Sequence, residues 1–166
     1  MSASPRLFVR ADLSADVFVA LTGDQEKYLS RVLRLKGGDP VRAFNGRHGE
    51  WLCEIDEIIG KQVLLKAKRK LRDPAVVGDL WLLFAPLKKT RTDFVVEKAS
   101  ELGAAVIKPV MTERTQASRV NRDRLQATAL EAAEQTERLD LPQVDDAMSL
   151  EQALSDWESR RVLIFA

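Results

Sequence analysis

The sequence predicts two domains of different class: a small, mostly antiparallel β-barrel carrying one helix, then an α/β domain built on a parallel sheet. Three observations lead there. The first 72 residues break into short β-rich runs, whereas the remainder alternates apolar strands with helical periods. Charge divides at the same point, with 14 Lys+Arg against 9 Asp+Glu in residues 1–72 and 12 against 16 in residues 73–166. Between the halves, Pro74 and Gly78 bracket a linker-like stretch that starts at Asp73. The domains are therefore read as 1–72 and 73–166.

In the first domain the strands are Leu7–Val9, Val17–Leu21, Val41–Phe44, Trp51–Ile59 and Val63–Lys68. Trp51, Cys53, Ile55 and Glu57 alternate with Leu52, Glu54, Asp56 and Ile58, which predicts a strand with one mostly apolar face. Asn45-Gly46-Arg47-His48-Gly49 is a hairpin-like connection. Asp24–Leu35 breaks the pattern. Its Tyr28, Leu29, Val32, Leu33 and Leu35 recur at helical spacing, Thr22 or Asp24 can cap it, and Gly37-Gly38 stops it.

The second domain opens with an apolar strand, Leu80–Ala85. A helix over Thr92–Leu102 follows, with Phe94, Val95, Ala99 and Leu102 as its stripe and Gly103 as its stop. Ala105–Val110 is a second strand. Asn121 caps a long helix through Leu125, Ala129, Ala132 and Ala133 to about Arg138. Ser149 with Gln152 resembles a capping box for a helix carrying Leu150, Leu154 and Trp157, and Arg161–Ala166 reads as a third strand. Such alternation predicts a parallel sheet buried on both faces. A buried parallel strand as the last element leads to the expectation that the sequence stops inside a longer domain.

Composition narrows the function classes. Twenty-six Lys+Arg nearly balance 25 Asp+Glu, and 45% hydrophobic with 31% charged residues is ordinary for a globular chain. No apolar run nears the ~20 residues that span a bilayer, and the opening Met-Ser-Ala-Ser-Pro-Arg has no apolar signal core. One Cys and one His make neither an internal disulfide nor an ordinary Cys/His metal site. The expectation is a cytoplasmic protein with no membrane and no metal.

Cations supply the candidate sites. Arg6, Arg10, Arg31, Arg34, Lys36, Arg42 and Arg47 belong to the basic half, with Arg31 and Arg34 three apart and Lys36 close behind. A cluster of this kind suits nucleic-acid phosphates, and helix, Gly-Gly turn and Asn45–Gly49 loop are expected to form one cationic surface. In the α/β half, Lys88, Lys89 and Arg91 follow the first strand and Thr112-Glu113-Arg114 the second, so both groups are expected at the carboxyl edge of the sheet. Glu97, Lys98 and Glu101 read as a surface trio, Cys53 as a buried strand residue, and His48 as a surface or RNA-facing one. Lys88-Lys89-Thr90 lacks the glycines of a P-loop.

Several of these segments, taken in order, are similar to one family. Pro5–Val9, Leu29–Asp39 with its Arg31-Val32-Leu33-Arg34 and Gly38-Asp39, Phe44-Asn45-Gly46, Lys88–Arg91, Lys98–Gly103, Pro109–Arg114 and Glu131–Arg138 resemble the motifs of the RsmE family, the bacterial small-subunit ribosomal RNA uridine-N3 methyltransferases of the SPOUT (knotted) class. Lys89 and Thr90 depart from the small and acidic residues common in that family's loop. The family's Gly-Pro-Glu-Gly-Gly and Leu-Gly-x-x-Ile-Leu-Arg-x-Glu-Thr segments are not found.

The resemblance implies an N-terminal PUA-like barrel that binds RNA, here over residues 1–72, and the first part of a SPOUT methyltransferase domain over 73–166. It implies transfer of a methyl group from S-adenosylmethionine to N3 of a uridine in 16S ribosomal RNA, a small-subunit partner and a homodimer. The cofactor site is expected largely beyond Ala166, leaving none within the chain and this piece inactive alone. RNA contacts are expected from Arg10, Arg31, Arg34, Lys36, Arg47 and Lys88, with Arg91 and Arg114 as candidate catalytic residues that stabilise charge or hold phosphate. A non-catalytic RNA-binding or ribosome-assembly module is the alternative.

Overall fold

The computed structural model describes residues 4–76, 78–115, 119–155 and 157–165. Its chain groups into two compact units. Met1–Val77 and Ala133–Leu141 form the first, Gly78–Ala132 and Pro142–Ala166 the second. The expected contiguous division at residue 72 thus differs from the observed grouping, because nine residues from the second half return to the first unit.

In the first unit, β1 (Arg6–Phe8), β2 (Phe18–Ala20), β3 (Pro40–Asn45), β4 (Gly49–Ile59) and β5 (Gln62–Arg72) make one sheet in the order β1-β3-β4-β5-β2. All pairs are antiparallel except β1 with β3. No ladder joins β1 to β2 among the described residues, so the expected barrel is not closed by hydrogen bonds. Register shifts at Glu50/Trp51, Leu52/Cys53 and Ile55/Glu57 bend the long β4–β5 hairpin. Trp51, Cys53 and Ile55 point inward with Val41, Val63 and Leu65, as their alternation requires.

The helix between β2 and β3 is shorter and less regular than its periodicity suggests. It begins as α1 (Gly23–Lys27), where the Thr22 N–H donates to Gln25 Oε1 at 3.2 Å, and continues as a π-helical turn over Tyr28–Val32. Leu33 N–H reaches the Tyr28 carbonyl at 2.9 Å, and Arg34 then takes the left-handed conformation with φ +56°. Helix termination falls there, before Gly37-Gly38. The wider turn rotates the apolar stripe away from the core. Leu29 is fully buried and Leu35 packs against the core, but Tyr28, Val32 and Leu33 face solvent.

In the second unit, β6 (Trp81–Phe84), β7 (Val106–Met111) and β8 (Gln143–Val144) form a parallel sheet, and β9 (Met148–Ser149) pairs in parallel with the end of β7. Residues 161–165 form no strand. Val162, Leu163, Ile164 and Phe165 are exposed, and Arg161 instead stacks on the Trp81 ring at 3.7 Å and pairs with Asp79 at 2.6 Å. The described residues of the expected strand join no ladder, although the outer edge of β6 is open, and Ala166 lies outside the described residues. All four β6 residues are only partly buried, short of the burial on both faces that was expected.

Helix α2 (Lys89–Glu101) buries a different stripe from the one its hydropathy suggests. Thr92, Val96, Ala99 and Ser100 face inward, while Phe94 is 58% and Leu102 81% exposed. The hydroxyls make this possible. Thr92 Oγ1 donates to the Leu87 carbonyl at 3.0 Å and Ser100 Oγ to Val96 O at 2.7 Å, so neither is buried unsatisfied. Helix α3 (Arg122–Gln135) behaves as read: Leu125, Ala129, Ala132 and Ala133 are buried, and Asn121 Oδ1 accepts the Arg124 N–H at 3.0 Å. In α4 (Leu150–Ser155), Ser149 Oγ accepts the Gln152 N–H at 3.0 Å, but Ala153 is the buried residue and Trp157 lies past the helix end.

Candidate nucleic-acid interface

Pairing separates the structural cations of the first unit from the available ones. The most basic stretch of the sequence, Lys66–Arg72, is β5, and most of its charges are matched. Lys66 pairs with Asp16 at 3.2 Å, Lys68 with Glu54 at 3.1 Å and Lys70 with Asp73 at 3.2 Å. Arg72 lies 3.4 Å from Glu50. In contrast, the exposed side chains of Arg31, Arg34, Lys36 and Arg10 have no carboxylate partner among the described residues. A phosphate can displace water from such a group without first breaking an ion pair.

These cations form two groups. Arg31, Arg34 and Lys36 follow one another on the π-helical turn and its exit, where the Lys36 N–H donates to Asp39 Oδ2 at 2.7 Å. Arg10 and Arg47 meet elsewhere: Arg47 Nη2 donates to the Arg10 carbonyl at 3.1 Å and to Asp12 Oδ1 at 2.9 Å. Buried Asn45 shapes that second loop, its Oδ1 accepting the N–H groups of Arg47 at 3.1 Å and His48 at 2.7 Å. The expected single surface does not form. Gly38 is bonded to Ile55 at 2.7 Å in the middle of β4, while the Asn45–His48 loop enters β4 at Gly49. Six strand residues, about 20 Å, separate them.

In the second unit, Lys88 is the residue before α2, and Arg91 lies in the first turn rather than in a loop. Both are exposed. Arg114 lines an open cleft with Met111, Thr112, Glu113 and Ser149–Glu151, on the β9 side of β7. Arg91 is not among those lining residues, so the cleft does not unite the two candidate arginines. Glu97, Lys98 and Glu101 are the surface trio expected, with Lys98 Nζ 2.8 Å from Glu101 and 2.9 Å from Glu97. These pairs raise the lysine's affinity for its proton.

Sequence reasoning missed the tightest polar cluster, which is structural. The Arg6 guanidinium lies 2.8 Å from Glu50 and donates to the carbonyls of Ala133 at 2.8 Å and Arg138 at 2.6 Å, where α3 ends. It stacks on Phe44 at 3.6 Å. Burial pulls its pKa below the ordinary arginine range, and the bond to Glu50 opposes that. Phe8 N–H adds a bond to Glu134 Oε1 at 2.9 Å. Arg6 stood among the cations of the basic half, but its Glu50 partner is 44 residues away and its carbonyl partners more than a hundred, so nothing local marked it as buried.

Burial pushes the Cys53 thiol up to about 11, which leaves it protonated and unsuited to nucleophilic work near neutrality. Among the described residues, no group of three His, Cys, Asp or Glu could hold a metal ion, and no helix is long and apolar enough to cross a membrane.

The two units match known families separately. Residues 21–68 match the RNA methyltransferase PUA domain, and residues 74–166, more than half of the chain, match the RNA methyltransferase domain. The chain belongs to the RNA methyltransferase family. Its relatives include two proteins named ribosomal RNA small subunit methyltransferase E. The one from Rickettsia conorii is 30% identical over 162 residues, covering 97% of this chain and 66% of the relative. The Synechocystis one is 33% identical over 142 residues, 84% of this chain and 46% of the relative. A crystal structure of the Neisseria gonorrhoeae enzyme of that name, bound to S-adenosyl methionine, superposes with a TM-score of 0.85 at 23% identity. It covers 95% of this chain and 67% of that one. The likeness establishes the fold, a PUA-like domain followed by a parallel SPOUT-type α/β domain.

The chain thus spans less than two thirds of the length of these curated relatives. The described residues do not by themselves fit S-adenosylmethionine. The cleft at the end of β7 is open, its Thr112, Glu113, Arg114 and Ser149 are exposed, and the Lys88–Arg91 turn has no glycine to bring backbone N–H groups against a ligand.

Proposed function

We propose that this chain is the RNA-holding portion, and the start of the catalytic portion, of a cytoplasmic enzyme. That enzyme transfers a methyl group from S-adenosylmethionine to N3 of a uridine in 16S ribosomal RNA of the small subunit, acting as a homodimer. The match of residues 74–166 to the RNA methyltransferase domain carries the reading. The division between matched and unmatched cations supports the assignment of RNA to the first unit, with the unmatched Arg31, Arg34, Lys36 and Arg10 as its principal contacts; Arg47, which is paired with Asp12, and Lys88 of the second unit are secondary ones.

The chemistry sets what remains to be supplied. Uridine N3 keeps its proton near neutrality, so transfer needs a base or a cation that stabilises the uridinate. Exposed Arg91 and Arg114, at the carboxyl end of the sheet, are suited to stabilise charge or hold phosphate, and neither acts as a base. The cofactor site takes more than the described residues offer, so no step of the transfer is assigned to them.

Incubating the full-length protein with labelled S-adenosylmethionine and small ribosomal subunits lacking the modification tests the proposal. The expected product is one N3-methyluridine in 16S RNA, identified by mass spectrometry of nuclease digests. Label at another atom, or none at all, would overturn it.

A further inference from the structure

The π-helical turn and the tip of the β4–β5 hairpin meet around a cavity that the sequence did not suggest. Glu26, Lys27, Ser30 and Arg31 line it from the helical side, and Gly60 and Lys61 from the hairpin. Lys61 occupies the second place of a two-residue turn between Ile59 and Gln62. Gly60 supplies the positive φ of +63° that the first place of a type II′ hairpin requires. Glu26 Oε1 accepts the Val63 N–H at 3.4 Å, fixing the hairpin against the helix. Lys27 pairs with Asp24 at 3.1 Å across an exposed surface, a contact worth little to either residue. Arg31 and Lys61 have no ion-pair partner among the described residues.

Three cations therefore face one concavity, and its acidic residue is turned to a backbone N–H. Ser30 Oγ donates its one proton to the Glu26 carbonyl at 2.6 Å, so the cations alone are left to meet an anion. The arrangement offers a fork from Arg31 and point charges from Lys27 and Lys61, which is the chemistry of phosphate recognition. The supports are unequal in length. Arg31 stands on a helical turn held by backbone bonds, whereas Lys61 projects from a tight hairpin tip.

We propose that this cavity grips one backbone phosphate of the bound RNA, with Lys61 and Arg31 closing on it from two sides and Lys27 leaving Asp24 to join them. The inference rests on the reading that the first unit holds RNA. It adds the hairpin tip to the contact surface and makes Lys61 a phosphate ligand.

The test is the salt dependence of affinity for a 16S RNA fragment, measured with the full-length protein and its K61A, K61R and R34E variants. Each lost phosphate contact should lower the slope of log K against log[salt] by about 0.7, a loss of about fivefold in affinity at 0.1 M salt. K61A should show that loss and K61R should recover it. R34E lies outside the cavity and reports on the parent reading alone. Weakening by R34E with K61A unchanged would overturn the cavity proposal and leave RNA binding intact. No binding by the unsubstituted protein would overturn both. Inorganic phosphate that shifts the NMR signals of Arg31 and Lys61, without K61A altering RNA affinity, would mark a free-anion site and also overturn the proposal.

Discussion

Arg6 and Glu50 form an ion pair 2.8 Å long whose side chains are only 4% and 1% exposed, joining β1 to β4 across β3. Arg42 and Arg72 approach the same carboxylate at 3.6 and 3.4 Å. Taking such a charge out of water is costly, and only a full set of partners offsets the cost. Arg6 also donates to the carbonyls of Ala133 and Glu134 in the last turn of α3, as a cation at a helix C-terminus should.

Removing one member should be far worse than removing both. R6A should lower the urea-unfolding free energy by about 3–5 kcal/mol, since Glu50 then keeps only the two longer contacts. R6M combined with E50L should recover a large part of that loss. Equal destabilisation of single and double variants would show that the carbonyl contacts, not the ion pair, dominate.

Gly49 allows no side chain. Its φ is +78°, and a Cβ would lie 2.1 Å from the Arg72 carbonyl oxygen, a backbone atom that cannot swing aside. G49A should cost about 2–4 kcal/mol, combining left-handed strain with overpacking, and thermal unfolding would measure it. Gly38 has φ +86° but open space around it, so G38A should cost only the backbone strain.

The paired and unpaired cations should separate in RNA binding. R31E/R34E should reduce the salt slope by about 1.4 through two lost contacts, while K68E/K70E should leave it nearly unchanged. Nitrocellulose filter binding from 50 to 200 mM salt reads both. Equal losses would mean that surface charge as a whole, rather than its availability, sets affinity.

Cys53 gives a pH prediction. Its folded pKa near 11 exceeds the ordinary 9.0, so the native state holds the thiol proton more tightly than the unfolded chain. That contribution is complete below pH 9 and is lost as pH rises through 11. Native protein should resist iodoacetamide at pH 8 and react once unfolded in urea. C53A should flatten the decline in stability between pH 9 and 11.

How much of this was legible in the sequence depends on the reach of the interaction. The alternation Trp51, Cys53, Ile55 and the Leu125–Ala133 stripe are local and were read correctly. Helix α2 misled because two short hydroxyl side chains, Thr92 and Ser100, bond to carbonyls a turn away and so accept burial in place of Phe94 and Leu102. Hydropathy has no term for that. The strand expected at Arg161–Ala166 is absent over its described residues 161–165, which join no ladder, and pairing is something no single segment declares. Among the site candidates, the run Arg31, Arg34, Lys36 was visible by proximity. Lys61 was not, because a hairpin brings it to Arg31 from thirty residues away.

The return of Ala133–Leu141 to the first unit has a consequence for timing. Domains made on the ribosome commonly fold in the order of their synthesis. This one cannot finish when its last strand emerges at Arg72, because the carbonyls awaited by Arg6 are made some sixty residues later. The first unit is the first begun and among the last completed, and a gene cut after residue 77 would yield a sheet whose buried arginine has lost three of its acceptors.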